Sequence, residues 1–206
     1  MNRNFSRALK GLALAAAAVA PLAANAESNF QIGGGDATAR VDFRITIPTV
    51  LFLQVGTGTL FADNGAINLI DFVVPAGDVG DGNPVAATAV SGDLNNGVVT
   101  AIVRGNGGNV TLEAATGGAL GNGAGGSINW NEITTTAAAL NAAPVLPAVT
   151  LPNGGTNSVL LNAVGNVVDQ AARWTYSYDN TAVVPAGVYG GVNVNNGRVT
   201  YTASLP

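Results

Sequence analysis

Cysteine and histidine are absent from the 206 residues, methionine occurs only as Met1, and lysine only as Lys10. Each absence removes a class of function. Without Cys no disulfide can staple a small exported scaffold, so stability must come from burial and strand pairing. Without His or Cys the usual zinc and copper ligands are missing, and so is the commonest general base. A Ser-His-Asp or Cys-His machine is therefore excluded, and no enzymatic activity and no cofactor are expected. Charged residues make up only 10% of the chain, too few for a highly charged disordered tail.

Long apolar runs are also scarce, and the one that stands out lies at the start. Arg3, Arg7 and Lys10 precede an apolar core from Gly11 to Ala20, and Ala24-Asn25-Ala26 supplies small residues around a cleavage point. Residues 1–26 thus read as a secretory signal peptide, with Glu27 as the first residue of the mature chain. A membrane-spanning helix needs roughly 20 apolar residues, and Pro21 ends this run at about half of that. The expected location is periplasmic, at the cell surface or extracellular, with no membrane insertion after cleavage. Of the eight cations three leave with the leader, so Arg40, Arg44, Arg104, Arg173 and Arg198 face twelve acids at a formal charge of −7. That balance disfavours nucleic acid and anionic lipid as partners.

What is present is Gly, Asn, Val, Ala and Thr in a turn-rich β pattern. Asn-Gly begins at Asn64, Asn96, Asn106, Asn122, Asn153 and Asn196, each a turn signal between apolar runs, and their irregular spacing argues against a repeat architecture. Residues 27–38, with Gly33-Gly34-Gly35, read as a flexible lead, and residues 39–206 as a single domain. Val41, Phe43, Ile45 and Ile47 share one parity, with Asp42, Arg44 and Thr46 on the other, up to Pro48. Residues 50–55 read as a strand buried on both sides. Further strands are expected at 67–74, 85–90, 98–104, 110–114, 127–134, 173–179 and 188–194. The last strand has Val199, Tyr201, Ala203 and Leu205 on one face, against Thr200, Thr202 and Ser204. The Ala-rich stretch 136–143 is the best helical candidate, 117–126 reads as a mobile loop, and 144–155 as a long connection or edge element. The fold class is all-β: two antiparallel sheets packed as an immunoglobulin-like sandwich.

Few residues could carry chemistry. Asp78, Asp81 and Asn83 offer oxygens to calcium, but their spacing is not that of an EF-hand, and Asp and Asn beside Gly make ordinary turns. Glu113 and Glu132 are the pair to consider for glycoside hydrolysis, which needs two carboxyl groups about 5 to 9.5 Å apart; nothing in the sequence brings them together. Trp130, Trp174, Tyr176, Tyr178, Tyr189 and Tyr201 would suit a sugar-stacking platform, although alternation assigns most of them to a core.

The segments Trp174-Thr175-Tyr176-Ser177-Tyr178, Pro185-Ala186-Gly187-Val188-Tyr189 and Gly197-Arg198-Val199-Thr200-Tyr201, with the alternating N-terminal segment, resemble Gram-negative fimbrial subunits and related surface proteins. The resemblance implies an immunoglobulin-like fold, a non-catalytic structural or adhesive role, and other copies of itself or related surface subunits as partners. The alternative is a monomeric secreted module that binds a carbohydrate or a surface. The strand Val41, Phe43, Ile45 and Ile47 is the candidate assembly strand, and Val199, Tyr201, Ala203 and Leu205 the candidate partner strand. Chaperone–usher pilins carry a penultimate Tyr, whereas this chain closes on Leu205-Pro206. On that ground the first strand is expected to pair within its own chain, near the last one.

Overall fold

The computed structural model describes residues 28–206, so the expected signal peptide, residues 1–26, lies outside the described residues. The chain divides into two units, Met1–Ile47 and Pro48–Pro206. In the first, residues 28–47 form no strand or helix and are exposed throughout.

The second unit is all-β and antiparallel. Its framework is set by three strands whose alternation is strong enough to give each a buried and a wetter face. In β3 (Val98–Gly105) and β4 (Val110–Thr116) every second residue is buried; β9 (Val168–Tyr178) buries Val168, Ala172, Trp174, Tyr176 and Tyr178 on one parity. In the first sheet β1 (Leu51–Val55) pairs with β3, β3 with β9, and β9 also with β2 (Val85–Ala86) and β7 (Ile133–Ala139). In the second, β4 is central between β8 (Gly155–Leu161) and β10 (Val199–Ser204), with Ala114 opposite both Asn157 and Tyr201. A two-residue ladder joins β5 (Leu120–Gly121) to β6 (Ser127–Ile128).

Both sheets contribute to one hydrophobic cluster: Val99, Ala101 and Val103 from β3, Leu112 and Ala114 from β4, Leu161 from β8, and Ala172, Trp174 and Tyr176 from β9. Fully burying a side chain such as Leu112 stabilises the fold by roughly 1.5–3 kcal/mol. Aromatic contacts cross between the sheets. The rings of Trp174 and Tyr201 lie 5.3 Å apart, and the phenol oxygens of Tyr176 and Tyr201 share a 3.0 Å hydrogen bond.

Several local expectations are corrected. Residues 41–47 form no strand among the described residues. β1 is not buried on both sides: Leu51 is exposed and Phe52 to Val55 are half-buried, because β1 has a ladder partner on one edge alone among the described residues. The Ala-rich stretch is strand rather than helix over Thr136–Ala139, since pairing with Ala172–Thr175 outweighs the modest helix propensity of four residues. Residues 188–194 alternate yet form no strand; Gly190, Gly191 and Asn193 take positive φ, which breaks an extended run. Residues 67–74 make only an isolated bridge, Phe72 to Ala87. The stretch 117–126 is not loop throughout: Leu120–Gly121 is β5, Gly121 N–H donates to Asn195 O, and Asn122 Oδ1 accepts from Ala124 and Gly126 N–H.

Candidate functional site

The feature that burial does not explain is the segment before Pro48. Val41 is 74% exposed, Phe43 89%, Ile45 84% and Ile47 75%. A solitary exposed apolar residue is ordinary, but four large ones at the two-residue period are not, and residues 41–47 have no ladder partner among the described residues. Phe30 and Ile32 are equally exposed further upstream.

Inside the second unit, β1 and β10 are outer strands of the two sheets and approach each other. Each has a ladder partner on one edge alone among the described residues. The core-facing residues of β10, Val199, Tyr201 and Ala203, pack on the cluster together with Leu205, as do Leu53 and Val55 of β1, yet all six stay only half-buried. Facing positions on β3 and β4 are almost fully covered, so burial fades toward this margin. One end of it is fixed by the β3–β4 connection. There a Cβ on Gly107 would come within 2.9 Å of Leu205 Cδ1 and 3.0 Å of Thr49 Cγ2. The neighbouring Asn106 receives Val50 N–H on Oδ1 and donates from Nδ2 to Pro48 O, at 2.7 and 2.9 Å, clamping the start of β1.

At the other margin, between β8 and β7, the chain covers its own core. Leu146, Val149 and Leu151 are buried. Leu146 N–H donates to Ala171 O, Trp174 Nε1 donates to Leu146 O at 3.0 Å, and Asn157 Nδ2 donates to Thr150 O. The sequence marks this stretch as a long connection or edge element without showing its three buried apolar residues, because Pro144, Pro147 and Pro152 hide them from any periodicity.

The remaining candidates have structural duties. Asp81 accepts from Asn83 N–H and Asn180 Nδ2 on Oδ1 and from Asn83 Nδ2 on Oδ2. The bonds from Asn83, then that from Asn180, hold its carboxyl below the usual range although it is open to solvent. Buried Asn180, at φ 51°, ties the same loop together through Gly80 N–H and Asp78 O. Among the described residues no group of three or more acidic residues could hold a metal ion. Glu132 receives both N–H and Oγ1–H of Thr181, while Glu113 sits on β4 between Ser158 and Thr202 on its wetter face. Trp130, Trp174, Tyr176 and Tyr178 are buried, and Trp130 Nε1 donates to Gly118 O, so these rings are core and not a stacking platform. Tyr189 is half-buried and donates to Pro185 O.

Compared with protein families, curated proteins and solved structures, the chain matches none.

Proposed function

We propose that the chain is an exported, non-catalytic structural or adhesive surface subunit, built as an immunoglobulin-like sandwich of two sheets, and that copies join by strand addition. The observation that carries this reading is the exposure of Val41, Phe43, Ile45 and Ile47 in a segment with strand periodicity and no ladder partner. An extended peptide added to an open sheet edge gains main-chain hydrogen bonds and seats alternate side chains in the core. The open edge of β10 offers both, with half-buried Val199, Tyr201, Ala203 and Leu205 waiting for cover. In this reading residues 41–47 of one copy, or of a related subunit, lie along β10 of the next. Burying each of the four donor side chains is worth roughly 1.5–3 kcal/mol.

Deleting residues 27–47 from the exported protein tests it. The truncated chain is expected to stay folded and monomeric, while the full-length chain forms polymers on a sizing column and in electron micrographs. An added Ala39–Thr49 peptide is expected to raise the melting temperature of the truncated chain, since a ligand of the folded state stabilises it by mass action. A truncated chain that unfolds, or a full-length chain that stays monomeric at every concentration, overturns the reading.

A further inference from the structure

A second feature lies on the outer face of the β4–β10 pair, where a cleft of about 400 Å³ is lined by Thr116, Asn193, Asn195, Asn196, Arg198 and Thr200 among others. Its volume falls in the range of small-ligand sites, about 300–1,000 Å³. Outward Arg198 and Thr200 have the parity opposite to Val199 and Tyr201, so the cleft is separate from the core-facing side of β10.

The turn that walls the cleft has a set backbone. Asn193, Asn195 and Asn196 hold φ of 57°, 50° and 58°, the left-handed conformation that Asn tolerates better than most non-glycine residues and that a tight turn requires. The turn is fastened by Gly121 N–H to Asn195 O, Asn196 Nδ2 to Ala119 O and Gly197 N–H to Val194 O, at 2.9, 3.0 and 2.8 Å. Thr116 is committed to Pro152 O and Gly154 N–H. By contrast, no hydrogen bond or ion pair among the described residues uses the side chains of Arg198, Thr200, Asn193 or Asn195. No carboxylate lines the cleft either, in a protein whose acids outnumber its cations.

We propose that this cleft binds an acidic saccharide, a sugar bearing a carboxylate, with Arg198 on the carboxylate and the two free Asn amides and Thr200 on the hydroxyls. A guanidinium fork matches a carboxylate in geometry and charge. Amides and a hydroxyl both donate and accept, as sugar hydroxyls do. A simple anion would use Arg198 and leave the amides in water, and a neutral sugar would leave Arg198 without a counter-charge. No aromatic ring lines the cleft, so recognition falls on polar edges rather than on stacking. This inference is independent of strand addition.

The experiment is titration calorimetry of the full exported protein with D-glucuronate, D-glucose and acetate. Saturable binding of glucuronate is expected, with markedly weaker binding of glucose and acetate. Arg198→Gln is expected to raise the dissociation constant about tenfold or more, the loss of one charge-assisted contact. Asn193→Gly keeps the left-handed backbone, removes one amide, and is expected to weaken binding less; it carries the test if the Arg198 variant fails to fold. No saturable heat with glucuronate, acetate binding as tightly, or neither variant changing the affinity would overturn the proposal.

Discussion

At the margin between β7 and β8 the chain lays residues 144–152 over its own core; at the margin between β1 and β10, among the described residues, no strand covers the edge. The first margin closes with side chains that leave no trace of periodicity, Leu146, Val149 and Leu151 threaded between prolines. The second stays half-buried although the chain carries, just before Pro48, a segment with the right alternation to cover it. The difference separates two properties that a sequence mixes together. Alternation says that a segment is fit to be a strand. It does not say which edge, or whose, receives it.

The comparison breaks most readily at the closed margin. Leu146 is fully buried and its carbonyl holds the indole of Trp174, so Leu146→Ala is expected to cost about 2–5 kcal/mol in chemical denaturation. Leu205→Ala at the open margin removes the same atoms from a half-buried site and is expected to cost less than half as much. Equal losses would mean that the two margins are equally closed in solution.

A smaller effect probes the aromatic contact beside the open margin. Burial pushes the Tyr201 phenol up to about 12, despite an opposing hydrogen bond from Tyr176, and pushes Tyr176 well above 10.0, with the Tyr201 charge adding to it. Both groups fold in the neutral form, so with folded values raised above the unfolded one their contribution is intact below pH about 10. It falls away as the pH rises from about 10 through 12, by about 1–3 kcal/mol for Tyr201. Melting temperatures measured across that window are expected to decline, and Tyr201→Phe to decline less steeply from a start about 1 kcal/mol lower. A parallel decline in both proteins would place the alkaline sensitivity elsewhere.

β3, β4 and β9 are legible in the sequence because each carries a buried apolar face that alternates with polar or small residues, and the outer strand β10 because it alternates as regularly with a half-buried face. β8 is not legible in the sequence: Gly155-Thr156-Asn157-Ser158 is polar and exposed, and only Val159 and Leu161 at its far end turn an apolar face to the core, too short an alternation to mark a strand that pairs with β4 along its whole length. β7 was read partly as helix because Ala is neutral about period, and only Trp174 and its neighbours on β9 decide the matter. Residues 188–194 show the opposite failure, an alternating run without a partner, whose Val188 and Val192 remain exposed. The common parity of the four apolar side chains of 41–47, and of those of β10, was legible in the sequence; the structure gives the latter a half-buried face and the former no strand. The Asn106 clamp and the Asn-rich cleft were not legible, since Asn-Gly signals a turn and says nothing of what the amide reaches across 58 residues to hold.

The smallest expected effect is the sharpest test of the contrast, because it is a null in one assay and a loss in another. Phe43 is the most exposed of the four alternating apolar side chains of 41–47, so in the isolated monomer Phe43→Ala removes little buried surface and is expected to shift stability by no more than about 0.5 kcal/mol. Beside Leu146→Ala that is close to nothing, though Phe is the larger residue. If residues 41–47 complete a neighbouring sheet, the same change removes an aromatic side chain from a core, and polymer yield and resistance to denaturant are expected to fall together, as for a Phe-to-Ala change costing about 3–5 kcal/mol. An Ala39–Thr49 peptide carrying the substitution is likewise expected to stabilise the truncated chain less than the parent peptide. A monomer destabilised by several kcal/mol would instead mean that Phe43 is buried in its own chain in solution, and the contrast between the two margins would collapse.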